Sequence, residues 1–230
     1  MKVFLHLCRN MREVSISQLW NRAWDLFKVN WLLFVGLLVL FIAQFIIAAR
    51  WDLYISILMT IILAPPVLVR AGYLVARQRQ YSLREDLGDL SPLLKVLIYQ
   101  FILALIPGSF VGLGHVFMVL MDFHGVILVL AGYHLLFISY LFGWAGHYAI
   151  LSGRAGIFRA IGQSFSLTTQ NFGQVFPALL SLIGLVVVGW LPCGLGLPVV
   201  LPIGSIFLPL LYFALTDAEG VSHSKSLRLG

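Results

Sequence analysis

Six long apolar stretches divide this chain, and its positive charges fall in every second gap between them. Lys2, Arg9, Arg12, Arg22 and Lys28 precede the first stretch, and Arg70, Arg77, Arg79, Arg84 and Lys95 surround the next gap of the same kind. Arg154 and Arg159 occupy the third such gap, and Lys225 and Arg228 the tail. Of the fifteen Lys and Arg residues, only Arg50 lies in the other set of gaps. Positive charge flanking a span is retained on the cytoplasmic side, so the alternation predicts six crossings with both termini cytoplasmic. The composition requires lipid as solvent: 60% of the 230 residues are hydrophobic and 10% charged, more apolar surface than a water-soluble domain of this length can bury. The net charge of +6 is spread along one membrane face, which fits an anionic leaflet and argues against a nucleic-acid partner.

The expected crossings are residues 31–49, 53–69, 93–121, 126–151, 175–190 and 199–215. Pro65-Pro66 and the pair Pro202 and Pro209 are expected to bend the second and sixth, because each ring removes a backbone donor. The third is longer than an upright helix needs and holds Pro107-Gly108, which predicts one tilted, kinked crossing. Arg50-Trp51-Asp52, Asp122-Phe123-His124-Gly125 and Leu191 to Leu197 form the outer turns, and Thr216 to Gly230 reads as a polar, frayed tail. Cys8 and Cys193 fall on opposite sides, so they offer neither a disulfide nor a zinc site. Met1 to Val14 mixes charges with apolar residues and does not read as a secretory signal.

Two further segments are amphipathic. In residues 15–30, Ile16, Leu19, Trp20, Ala23, Phe27 and Trp31 recur at helical spacing, with Gln18, Asn21, Arg22, Asp25 and Lys28 opposite, and Ser15 and Gln18 fit a capping box. In residues 157–171, Ile157, Ile161, Phe165 and Phe172 repeat the pattern. Both are expected to be interfacial helices lying among lipid headgroups. They also form a weak repeat: Ala23-Trp24-x-Leu26-x-x-x-Asn30-Trp31 matches Ser164-Phe165-x-Leu167-x-x-x-Asn171-Phe172. Each copy leads into a hairpin whose closing span carries two prolines and ends in a tyrosine, Tyr73 or Tyr212. Both begin on the cytoplasmic side, so a duplication would be parallel.

An interfacial helix ending in Asn-aromatic, a hairpin, and the segment Ala160 to Leu215 with Asn171-Phe172 and Leu195-Gly196-Leu197-Pro198 together resemble a loose group of small six-helix bacterial inner-membrane proteins. Relatives of that group include the membrane domain fused to some glycerophosphodiester phosphodiesterases. The resemblance implies a fold and a bacterial inner-membrane location and carries over no catalytic residue. This chain has no room for a soluble phosphodiesterase domain.

Ionisable residues within the membrane are the first candidates for chemistry. His115 and His134 flank the third-to-fourth turn at comparable depths, roughly 10–15 Å in at 1.5 Å per residue, with Asp122 and His124 at its mouth. One reading is a proton relay or metal site. The other is two neutral histidines, each bonded to a backbone carbonyl or to a hydroxyl such as that of Tyr133 or Ser139. Gly108 and Gly112, four apart, either let another helix approach closely or let the span unwind and present its backbone to a solute. His147, in Gly143-Trp144-Ala145-Gly146-His147-Tyr148, reads as part of an interfacial aromatic belt. There are no paired membrane carboxylates, phosphate loop or metal-binding helix motif.

The expected fold is therefore an all-α polytopic membrane protein: a single integral domain over residues 1–230 with six transmembrane helices, two amphipathic interfacial helices and cytoplasmic N and C termini. No catalytic, cofactor-binding or metal-binding residue is expected. The expected function is non-enzymatic, through binding of membrane lipids or other inner-membrane proteins in an accessory, assembly or envelope-homeostasis role. A small transporter or channel for a small or hydrophobic solute is the alternative. Oligomeric state is not legible in the residues. Fusion reporters placed at each terminus should both show the cytoplasmic signature; either one reading the opposite side would overturn the topology.

Overall fold

The computed structural model describes residues 15–50, 53–78, 90–121, 123–191 and 196–226, and all of its regular structure is helical. The helices are α1 (Ile16–Ala49), α2 (Leu53–Gln78), α3 (Ser91–Met121), α4 (Phe123–Leu151), α5 (Ile157–Gln170), α6 (Phe172–Trp190) and α7 (Leu197–Ser226). Among the described residues, α1, α3, α4, α6 and α7 each contain a stretch long and apolar enough to cross a membrane. This is the architecture of a multi-pass helical membrane protein. Lipid offers no partner to a free N–H or C=O, so a chain of this composition satisfies its backbone within helices. Cys8, Asp52, Asp122, Cys193 and most of the polar stretch 77–91 lie outside the described residues.

The chain divides into two compact units, one of residues 1–88 and 171–230 and the other of residues 89–170. In the first, α1 and α2 form a hairpin, and α7 packs on both and on α6. The first amphipathic segment and the first span form a 34-residue helical stretch of two helices joined at a kink, where Asn30 departs from helical geometry with φ −111° and ψ 16°. The Asn30 side-chain amide donates to the Leu26 carbonyl at 2.9 Å, so the kink leaves that acceptor satisfied. Ser15 makes no capping box: its hydroxyl pairs with that of Ser17 at 2.9 Å. Arg70, placed by the sequence at a membrane face, is buried within α2. The expected frayed tail is helical as far as Ser226.

The weak repeat acquires a structural counterpart. Asn171, between α5 and α6, has φ −115° and ψ 26°, almost the conformation of Asn30. The two helix–Asn–helix elements also share their bounds: 157 less 16 and 190 less 49 both give 141. Burial follows the same register, since Ala23 and Ser164 are buried, Phe34 and Val175 are buried, and Trp24, Phe165, Trp31 and Phe172 are exposed.

In the second unit, α3 and α4 pack along their lengths and α5 closes on α4. The seam is made of glycine. A Cβ on Gly132 would lie 2.8 Å from the Val111 nitrogen and 3.0 Å from the Pro107 oxygen. One on Gly125 would strike Met118, and one on Gly146 the Tyr99 hydroxyl. Gly125, Gly132 and Gly146 stand on one heptad register with Ser139, which keeps small residues toward the partner helix. The expected four-residue turn shrinks accordingly: α4 begins at Phe123, because Gly125 lets the helices stay packed almost to their ends.

Gly108 and Gly112 have nothing within 4 Å of where a Cβ would stand. Within this chain, the close approach expected of them falls instead to the α4 glycines. Helix α3 also runs unbroken through Pro107, so the unwound alternative is not adopted. Gly132→Val should destabilise the protein by about 1–3 kcal/mol through overpacking, measured by thermal or SDS-induced unfolding in detergent. Gly108→Ala and Gly112→Ala should be neutral or gain up to about 1 kcal/mol in helix propensity. Equal losses at all three positions would contradict this seam.

Candidate functional site

Of the residues picked out by sequence, His115, His134, Gly108 and Gly112 lie among the described residues. His115 and His134 each turn Nδ1 back to their own helix, 2.8 Å from the Val111 carbonyl and 2.7 Å from the Leu130 carbonyl. A carbonyl can only accept, so Nδ1 carries the proton in each ring, and both side chains are exposed. Each ring thus makes the backbone-carbonyl bond named in the second reading. Asp122 is outside the described residues. Among the described residues, no three His, Cys, Asp or Glu side chains come together as a metal would require.

What the structure assembles instead is a buried polar lock between α4 and α5. Helix α5 turns Ala160, Ser164, Leu167 and Thr168 inward, while Phe165 and Phe172 of the apolar stripe stay exposed. The Ser164 hydroxyl donates to the Phe142 carbonyl at 2.6 Å and accepts from the Ala145 N–H at 3.1 Å. The Trp144 indole donates to the Thr168 hydroxyl at 3.1 Å. From α3, the Tyr99 hydroxyl donates to the Gly143 carbonyl at 2.8 Å. Small residues on α5 permit this, since hydroxyls reach a neighbouring backbone only where the helices approach closely.

His147 belongs to this lock and not to an exposed aromatic belt. It is 4% exposed, its ring meets Tyr99 edge-on at 4.9 Å, and Nδ1 donates to the Trp144 carbonyl at 3.1 Å. Its Nε2 is buried without a hydrogen-bond partner among the described residues. The cluster thus holds one bare imidazole acceptor among the bonds that join α5 to α4.

A second feature lies in the other unit. An open, mainly apolar groove of about 540 Å³ runs between the first part of α1 and the α6–α7 hairpin. Trp20, Trp24, Leu185, Val188, Val200 and Ile203 line it, with Asn21 and Ser181 as its polar members. Trp20 forms the anchor: its indole donates to the Ser181 hydroxyl at 3.0 Å, and its ring stacks on Phe207 at 4.0 Å. Ser181 and Phe207 both stand near the middle of apolar helical stretches, so the start of α1 lies across the hairpin and leaves a trough beside it. The amphipathic spacing of Trp20 was legible, and Trp24 stood out in the repeat, but neither showed which helices they would meet.

Ser164→Ala should cost about 1–3 kcal/mol, because it removes one donor and one acceptor from buried backbone groups. Ser166→Ala, on the exposed side of α5, should stay within about 0.5 kcal/mol of wild type. Detergent-solubilised unfolding curves decide it, and equal effects would mean that the lock does not hold α5.

No protein-family model, curated protein or solved structure matches this chain.

Proposed function

We propose that this is a non-enzymatic multi-pass protein of a bacterial inner membrane that works by binding membrane components, a lipid acyl chain foremost. The observation that carries this reading is the groove beside Trp20 and Trp24. Its volume of about 540 Å³ is in the range of small-molecule sites, roughly 300–1,000 Å³. Its walls are largely aliphatic and indole surface, and it is open along one side, as a lipid entering from the membrane needs. Trp20 is held by its bond to Ser181 and its stack on Phe207, so the trough is formed before an occupant arrives, which lowers the ordering cost of binding.

The topology belongs to the same proposal: six crossings and cytoplasmic termini, with the 26-residue α2 as the sixth spanning helix. The positive-inside pattern supports it. The transporter alternative drew on the weak repeat, the broken third and sixth spans and the outer-leaflet histidines; α3 and α7 are continuous helices, which leaves it the repeat and the histidines.

Native mass spectrometry of protein extracted mildly from its own membrane tests the reading. Wild type should retain lipid adducts, and Leu185→Trp, which fills the groove, should lose most of them. Val119→Trp, at a position fully turned away from the protein, should keep them. An unchanged lipid complement in Leu185→Trp would overturn the acyl-chain assignment. A stoichiometric protein partner in its place would make this an accessory subunit.

A further inference from the structure

Helix α5 is divided into three sectors. Ala160, Ser164, Leu167 and Thr168 face α4 and are buried. The opposite sector carries Arg159, Gly162, Ser166, Thr169 and Gln170, all exposed. Between them runs an apolar flank on which Phe158 is 81% and Phe165 54% exposed, seven residues apart and so nearly in line along the axis. A helix in a soluble protein would bury that flank. Here the sector facing α4 is already taken; Phe158 projects from the flank, and the half-exposed Phe165 leans on Phe142 of α4 at 5.0 Å with its outer face open.

The turn before α5 sets a second arginine beside this surface. Helix α4 ends on Gly153 at φ +71°, whose N–H donates to the Ile150 carbonyl at 3.0 Å, while the Arg154 N–H donates to the Ala149 carbonyl at 3.1 Å. These two bonds are the reciprocal pair of a left-handed helix stop, which fixes the backbone at Arg154. Arg154 and Arg159 are both exposed. The sequence holds no Asp or Glu between Asp122 and Asp217, so no acidic neighbour along the chain offsets them.

From this charge and apolar pattern we infer that the Arg154–Gln170 segment is a binding surface for anionic phospholipid headgroups, with Phe158 and Phe165 inserted among the upper acyl carbons and Arg154 and Arg159 paired to the phosphates. Guanidinium is suited to this because its planar fork matches phosphate oxygens. Attraction to an anionic leaflet then adds to the burial of the aromatic flank. The surface is separate from the groove and does not depend on it.

Phe158→Trp places a reporter on the flank. Purified protein is reconstituted into vesicles of dibrominated phosphatidylcholine or of dibrominated phosphatidylglycerol, and the quenching of the six native tryptophans is subtracted using wild type. The expected result is strong quenching in both, with a relative binding constant for phosphatidylglycerol in lipid mixtures roughly tenfold above that for phosphatidylcholine, shrinking as salt rises. Arg154→Gln with Arg159→Gln should abolish the preference and keep the quenching, whereas Arg50→Gln, exposed at the far end of α1, should leave it intact. Equal constants for the two headgroups, an unchanged preference in the double variant, or an equal loss with Arg50→Gln would overturn the inference. So would an unquenched reporter, which would mean that the rings meet water or a protein instead. Phe165→Trp gives the same reading where Phe158→Trp does not fold.

Discussion

Backbone groups have no partner in hydrocarbon, and this constraint governs everything else in the molecule. It forces each apolar stretch into a helix that closes its own hydrogen bonds. It also removes the force that assembles soluble bundles, since lipid tails are as apolar as leucine and packing two helices gains little by hiding them. Association must then come from close contact and from hydrogen bonds. The α3–α4–α5 unit shows both means. Gly125, Gly132 and Gly146 let two helices approach until a Cβ at any of them would collide with the neighbour. Where the backbones come that near, Ser164 and Tyr99 reach carbonyls on α4 that an apolar side chain would leave alone. Close approach comes first and polar bonding follows from it.

The matched elements around Asn30 and Asn171 follow from the same constraint. A helix that turns at a junction frees backbone groups, and asparagine suits such a place because its short amide bonds locally and tolerates sparsely populated backbone regions. Both asparagines sit near φ −110° with a small positive ψ. Both are followed by an exposed aromatic, Trp31 or Phe172. A nine-residue match in a biased alphabet carries little weight alone. Shared helix bounds, shared backbone angles and shared burial are three observations that a chance match does not supply. The copies nevertheless end in different company: the opening of α1 lies against α6 and α7, while α5 is locked to α4 by hydroxyls. Position 164 is serine and position 23 alanine, so only the second copy carries the hydroxyl that makes the lock.

Much of the architecture was legible in the sequence because hydropathy and charge act on whole stretches. The helices enclose the expected spans, extended by a few residues where turns proved tighter or helices ran on. What was not legible depends on pairing. Gly108 and Gly112 looked like a contact motif, yet they face open space, and the contact lies on the heptad of Gly125, Gly132 and Gly146. That register was present in the sequence, but a spacing of small residues does not say which helix it will meet. The same holds for α5: its apolar stripe was expected among lipid headgroups, but that did not show which helix its small residues would meet as they turn inward and the large apolar ones outward. His115 and His134 each bond the carbonyl four residues back on their own helix, a local partner that their positions in the sequence did not single out.

That inversion bears on how function is read in this molecule. In water an exposed phenylalanine is informative because it is costly. In lipid it is the default, and most of the exposed leucines and valines on α1 and α3 need no further explanation. The informative surfaces are those where apolar and polar features are joined in a fixed arrangement. The groove beside Trp20 qualifies because an indole is tied to Ser181 and stacked on Phe207 before anything binds. The outer face of α5 qualifies because its rings stand beside arginines that no nearby acid in the sequence offsets. The bare Nε2 of His147 is the opposite case. It is a buried acceptor costing about 1–3 kcal/mol when unpaired, yet it stands within a lock whose other bonds hold α5 in place. Its cost is borne by the packing around Tyr99 and Trp144, the same packing that leaves the outer face of α5 exposed.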